Sequence, residues 1–473
     1  MSNSGQSDYL KKIHHVTDDA KTLINRAIQK RLCIGITGLS RSGKSTFITS
    51  LINQLKQHGA KNSRLGGFSP WLKKRIIHVQ EHPLENRYLP RFDYEQAVDS
   101  LSGSAPHWPA PTRDISGVLL EIKLADLGWF GRKTTKSVFI ELRDYPGEWL
   151  VDLPLLKMSF RDWCVQVEKQ LSRAPRNQLP NNPLAALNAL DPFSAYDAAA
   201  IETLRDTYSD FLHACKQQSP PLTIIQPGRF IEPGTQAGHP ALQFVPLVAC
   251  AGHSEAQLQA ASKNSNFKQL EAIFERYKAD IVKPFFKEFI EPIDRQVVLV
   301  DVLNVLHGGE PYLHEMMHAL EAIGESFEYS GGLFHSRVEK VLYAATKVDQ
   351  VVSQDHDNVR HLLSSIVRKS LERIKGAQAD LRIEAVAAVR SSHAQTQGNE
   401  EILKGISTDG EAIGFVNPRI PDHIPSESEF TAFIDWKLPQ LNPPKSIRAN
   451  QDQAIPHIRM DEVLHNLMGD ICR

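Results

Sequence analysis

The run Gly38-Leu39-Ser40-Arg41-Ser42-Gly43-Lys44-Ser45, followed by Thr46, has the spacing GxxxxGK(S/T). That spacing suits a polyphosphate. Glycines let the backbone fold into a concave nest of N–H donors. A helix that follows turns its positive end toward the anion. Lys44 supplies a point charge for the outer phosphates, and the Ser45 hydroxyl is a ligand for Mg²⁺. Residues 38–46 are therefore the expected contacts of a nucleoside triphosphate.

Two further tracts refine the chemistry. Asp144-Tyr145-Pro146-Gly147 follows an apolar strand. Alone it reads as a Pro-Gly turn; after a phosphate loop it resembles the place where switch GTPases keep a Mg²⁺-ligating aspartate, here Asp144, and a glycine N–H for the terminal phosphate, here Gly147. Thr346-Lys347-Val348-Asp349 follows the apolar run VLYAA. A carboxylate at Asp349 would accept both the N1–H and the exocyclic amine of guanine, while the Lys347 stem lies over the purine. Adenine lacks that donor pair and would leave a buried carboxylate unpaired. The small-residue stretch ending at Val389, just before Arg390, Ser391 and Ser392, is the candidate for a backbone contact to guanine O6. Three alternatives to GTP hydrolysis stay open at this stage: an ATPase, a P-loop kinase acting on a small molecule, and a scaffold that binds nucleotide without turnover.

In this order the motifs resemble the GTPase branch of the P-loop NTPases over roughly 32–149 and 295–392. GLSRSGKST, RDYPGEWL and TKVD, with the large helical stretch between them, are similar to the YcjX family of bacterial stress-associated GTPases. The resemblance implies cytoplasmic GTP hydrolysis, expression with the phage-shock envelope response and an inner-membrane partner, YcjF. It also suggests Thr112 as a second hydroxyl ligand closing over Mg²⁺ and the terminal phosphate. Arg41, inside the loop, has two readings: a solvated or ion-paired side chain, or an internal arginine finger engaged on homodimerisation, as in guanylate-binding proteins. Glu148 stands where many GTPases carry a water-orienting glutamine. A carboxylate there is electrostatically awkward beside a phosphate, which implies that it points away or acts after a rearrangement. Slow intrinsic turnover is the expectation.

His314-Glu315-Met316-Met317-His318 is a literal HExxH, the helical spacing of zinc proteases. It falls where a helix should cover the sheet, and no third ligand pattern follows, so a structural helix is expected.

These residues need a framework. The apolar run Leu32–Ile36 reads as a strand and Ser45–Lys56 as an amphipathic helix. Residues 117–124, 136–149, 295–304, 338–349 and 381–392 read as further strands, giving a mostly parallel, helix-covered α/β sheet. An N-terminal helix is predicted over 8–31, and mainly loops over 59–117. Residues 150–294 read as a helical insertion. The tail beyond 408 reads as irregular, with an amphipathic segment at 458–471. The implied division is 1–149 and 295–407 for the core halves, 150–294 for the insertion and 408–473 for the extension.

The chain has 473 residues, 41% hydrophobic and 23% charged, with a formal net charge of -1. That balance argues against a nucleic-acid partner, which would favour a basic field. Five cysteines without a CxxC pair suit a reducing compartment. The polar N-terminus lacks a signal-peptide core, so a cytoplasmic protein is expected, with any membrane contact made through a partner.

Overall fold

The computed structural model describes residues 31–86, 89–111, 114–127, 133–328, 338–368, 372, 379–398, 400–436, 438–447 and 453–472. The helix expected over 8–31 lies, except for Arg31, outside the described residues. Thr112 also lies outside them.

Strand β1 (Arg31–Gly38) is buried along almost its whole length, as expected of an apolar strand covered on both faces. β2 (Ile76–His82), β3 (Ser116–Leu127) and β4 (Lys133–Asp144) lie to one side of β1. β5 (Arg295–Val300), β6 (Lys340–Ala345) and β7 (Asp380–Ala385) lie to the other. The order is β2-β3-β4-β1-β5-β6-β7. β4, β1, β5, β6 and β7 are mutually parallel; β3 runs antiparallel beside β4, and β2 pairs antiparallel with β3 at the sheet's edge. The register sets Ile36 opposite Asp144 and Gly38 opposite Leu299. The ends of β1, β4, β5 and β6 therefore open on one edge of the sheet, the edge where open α/β sheets bind ligands.

Helices cover both faces. On one, Lys44–Lys56 buries Phe47, Ile48, Leu51, Ile52 and Leu55. The helices Tyr94–Ser102 and Met460–Met468 complete that layer. The other face carries Val302–Gly308, Glu310–Glu328 and His356–Ile366.

Residues 147–294 pack against this second face, and their apolar core is continuous with the sheet's. The stretch mixes helices, of which Phe160–Leu171, Ala198–Gln217 and Asn266–Tyr277 are the longer members, with short turns and irregular segments. Trp163, fully buried, stacks on Phe274 with ring centroids 5.3 Å apart. Asp197 caps Ala198–Gln217 by accepting from the Ala199 and Ala200 amides at 3.0 and 3.2 Å. The helix stops just before Ser219-Pro220-Pro221, because a residue preceding proline disfavours helical backbone.

Three expectations need correction. Residues 59–117 hold an edge strand, β2, where only long loops with a little helix were expected; the polar IIHVQEH reads weakly because only one side of it pairs. The strand expected over 381–392 ends at Ala385, where Val386 turns to bond Ala345 and Val348, and Ala387 bridges to Ile458. A small sheet straddles the boundary expected at 408, so the tail is not irregular from its start. β8 (Ser392–Gln397), β9 (Glu400–Ile406) and β10 (Ala412–Phe415) form a small antiparallel sheet. SHAQTQ and EEILKGI carry too little apolar alternation to announce it.

Candidate functional site

The Gly38–Ser45 loop leaves β1 through a tight turn, with the Ser42 amide donating to Leu39 O at 3.1 Å. The Leu39 amide ties the loop to β5 through Leu299 O at 3.3 Å. A Cβ at position 38 would come within 2.2 Å of Ser42 Oγ and 3.1 Å of Leu299 O, so only glycine fits. Arg41 and Gly43 have φ of 62° and 83°, the left-handed conformation that curls the backbone. The first bond of the helical ladder, Phe47 N–H to Gly43 O at 2.9 Å, leaves the amides of the opening turn outside the ladder, at the helix's positive end. This is a cradle for an anion.

Asp144, 2% exposed, ends β4 beside that cradle. Gly147 touches it: a Cβ there would lie 2.3 Å from Gly38 O. Ser45 Oγ donates to Ala110 O at 3.1 Å, which brings the segment leading to Thr112 against the helix start. A hydroxyl and a carboxylate are the hard oxygen donors that Mg²⁺ prefers, so the residues present suit that ion.

Glu148 points toward the loop. Its Oε1 accepts from Ser40 Oγ at 2.7 Å and pairs with Lys216 Nζ at 3.0 Å. Burial alone would raise the carboxyl's pKa, but Lys216 and Lys44 outweigh it and hold Glu148 below the usual range. Lys216 belongs to the helix Ala198–Gln217 and also binds Glu232 at 2.8 Å. Arg41, exposed, reaches the Gln218 carbonyl at 3.5 Å. Lys216 and Gln218 were not legible in the sequence, where they look like the solvated end of an amphipathic helix.

The 346–349 tract stands at the end of β6 on the same edge. Thr346 bonds β5 rather than the loop, its amide donating to Val300 O at 2.9 Å. Lys347, at φ 62°, is fixed by Asp301, 2.5 Å from its Nζ. Asp349 is 4% exposed, and its Oδ2 accepts from the Ser391 amide at 2.8 Å, the Ser391 hydroxyl at 2.6 Å and the Ser392 amide at 3.2 Å. Burial nevertheless pushes its pKa up. Val389, by contrast, packs its side chain into a small apolar cluster with Leu101, Ile447 and Ile455. Asp301 and Ser391 are functional candidates that the sequence leaves unassigned. Asp301 has a readable signal, since it caps the next helix through the Asn304 amide at 3.2 Å.

Behind Glu148 lies a buried carboxyl. Gly228 presses its Cα against Glu148, where a Cβ would sit 2.2 Å from the Glu148 carbonyl oxygen. The Gly228 amide donates to both oxygens of Asp152 at 3.0 Å, and the Tyr277 hydroxyl donates at 2.6 Å. Burial pushes the Asp152 carboxyl up to about 7, against the pull of these donors and of Arg229. Between its ordinary value of 3.8 and about 7 the folded chain holds a proton that the unfolded chain has lost. This contribution to stability therefore falls as pH rises through that window and is gone above it. Relative to Asp152→Asn, the wild-type chain should lose about 2–3 kcal/mol between pH 5 and 7.5. Urea unfolding of both proteins at the two pH values checks this, and parallel pH profiles would refute it.

The HExxH segment lies on the helix Glu310–Glu328. His314 and His318 are exposed, whereas Glu315 is buried. Glu315 accepts from Arg176 Nη1 at 2.6 Å and from the Ile224 amide at 3.0 Å. The glutamate is a strut between segments, turned away from its histidines. No group of three metal-ligating side chains converges among the described residues, and no described helix is long and apolar enough to cross a membrane.

Residues 32–472 match the model of the YcjX-like family, DUF463. Among curated proteins, the chain is 32% identical to a Ras-like GTPase YcjX of Shewanella oneidensis over 477 residues, covering 97% of this chain and 98% of the relative. It is 33% identical to a Ras-like GTPase YcjX of Escherichia coli K12 over 468 residues, covering 96% and 99%.

Proposed function

The chain belongs to the YcjX-like family, and from that premise we propose that it binds GTP and hydrolyses it to GDP and phosphate. The observation that carries this reading is the buried Asp349 carboxylate, held by Ser391 and Ser392 on the sheet edge that also bears the Gly38–Ser45 loop. A rigid buried carboxylate at that place selects a base with two adjacent donors, and guanine has them. Names given to the relatives, Ras-like GTPases, agree.

In this mechanism the loop amides hold the β- and γ-phosphates while Lys44 neutralises their charge. Ser45 and Asp144, with Thr112, are the groups that would hold Mg²⁺, which supplies charge neutralisation on the phosphate oxygens when bound. The Gly147 amide faces the terminal phosphate. Water attacks the γ-phosphorus in line, the bond from γ-phosphorus to the bridging oxygen breaks, and that oxygen leaves on GDP. Glu148 is engaged by Ser40 and Lys216, so in this reading it must move before it can orient water, and slow intrinsic turnover is expected.

Equilibrium titration with GDP and with ADP in the presence of Mg²⁺ tests the base assignment. GDP should bind at least about a hundredfold more tightly. Equal affinity would favour an ATPase or a kinase. Single-turnover hydrolysis of GTP then separates an enzyme from a scaffold.

A further inference from the structure

One oxygen, Glu148 Oε1, receives both Ser40 Oγ and Lys216 Nζ, at 2.7 and 3.0 Å. The first donor belongs to the candidate phosphate loop. The second, 176 positions after Ser40 in the sequence, comes from a helix that reaches the loop only through tertiary packing. The carboxylate thus lies at the lip of the anion cradle, held by a hydroxyl and an ammonium. Those are the donors a terminal phosphate oxygen would accept from, since carboxylate and phosphate oxygens share charge and acceptor geometry. Lys216 is well placed to serve either anion. Its side chain is 26% exposed, its stem is flexible, and its second carboxylate, Glu232, is anchored by Trp149 Nε1 donating to the Glu232 carbonyl at 2.9 Å. As a cation in the helix's last turn it also offsets the negative helix end that faces the loop.

We propose that Glu148 is a built-in stand-in for the γ-phosphate, and that Lys216 is the side chain that senses the γ-phosphate when GTP displaces it. The proposal rests on the GTP-binding reading above and adds to it a residue from the helical region and a reason for discriminating GTP from GDP. A nucleoside diphosphate leaves Glu148 on Ser40 and Lys216. A triphosphate brings an anion that competes for both donors, and the freed carboxylate moves toward solvent or water. The helix Ala198–Gln217, and the helical region with it, thereby registers which nucleotide is bound.

The test compares affinities for GTPγS and GDP, so that catalysis is not the readout. In Lys216→Ala the ratio of GTPγS to GDP affinity should fall about tenfold or more, with GDP affinity little changed. Lys216→Arg, which keeps the charge, should restore most of the ratio. Glu148→Gln removes the competing anion and should move the ratio the other way, toward GTPγS. Thermal melts of each variant verify folding. An unchanged ratio in Lys216→Ala, or a shift in the same direction for Lys216→Ala and Glu148→Gln, overturns the proposal while the nucleotide reading stands. Failure of the wild-type chain to bind either nucleotide removes the reading beneath it, and the proposal with it.

Discussion

On the GTP-binding reading, Asp349→Asn should shift nucleotide preference from GDP to xanthosine diphosphate. The carboxylate is 4% exposed, and its Oδ2 is held by three donors from Ser391 and Ser392, which fixes Oδ1 toward the proposed base. The group therefore cannot rotate away from an unsuitable base without breaking bonds in a buried site, where each unmade bond costs about 1–3 kcal/mol. Asparagine keeps the shape but replaces one acceptor with a donor. That donor opposes the guanine N1–H and amine and matches the second carbonyl of xanthine. A loss of about two orders of magnitude in GDP affinity is expected, with a gain for the xanthine nucleotide. Competition titrations with the two diphosphates measure it. If the variant binds GDP as the wild type does, Asp349 loses its role. Amide nitrogen placed against the Ser391 amide would also strain the site, so Ser391→Ala offers a milder check: it removes only the 2.6 Å hydroxyl bond and should weaken GDP without changing which base is preferred.

Deleting the chain from residue 459 onward should abolish cooperative folding. The helix Met460–Met468 buries Met460, Val463, Leu464, Leu467 and Met468 under the same sheet face as the helix Lys44–Lys56. Each such side chain contributes about 1.5–3 kcal/mol on burial, and together they rival the 5–15 kcal/mol that holds a typical domain folded. The deletion also strands Arg295. This residue, 1% exposed, makes paired bonds of 2.6 and 2.8 Å to Asp470 and a further one to Leu467 O. A buried guanidinium without these acceptors is costly. Asp470→Ala is the graded version. Asp470 is partly solvated and Glu339 remains 3.6 Å from Arg295, so a loss of about 1–3 kcal/mol is expected. Circular dichroism melts of the shortened chain decide the matter: a cooperative transition near that of the full chain would show the helix to be dispensable.

How far the sequence foretold this arrangement follows from local physics. VVLV and VLYAA are short apolar runs, and a run buried on both faces must be a central strand. The loop and its helix were legible because glycine, lysine and hydroxyl positions are set by backbone geometry over eight residues. Asp349 stands out in the sequence because it follows an apolar strand in a four-residue tract, and its role is the one proposed above. What stayed hidden is tertiary. Lys216 carries no local mark that distinguishes it from any other lysine at a helix end. Ser391 acquires meaning only because the chain leaves β7 at Ala385 and loops beneath β6. β2 and the β8–β10 sheet are polar edge structures whose pairing partners, not their composition, make them strands.

The placement of Met460–Met468 has a consequence for synthesis. The layer that it completes begins with Lys44–Lys56, which leaves the ribosome roughly 400 residues earlier. At about 5–20 residues per second, that interval is on the order of 20–80 s. Throughout it Phe47, Leu51 and the inward face of β1 wait for this cover, so the nascent chain carries an open apolar layer until translation has passed Met468. The segments Lys44–Lys56 and Met460–Met468 are in this sense a single folding unit, and a translational pause between them would prolong the exposure of the earlier one.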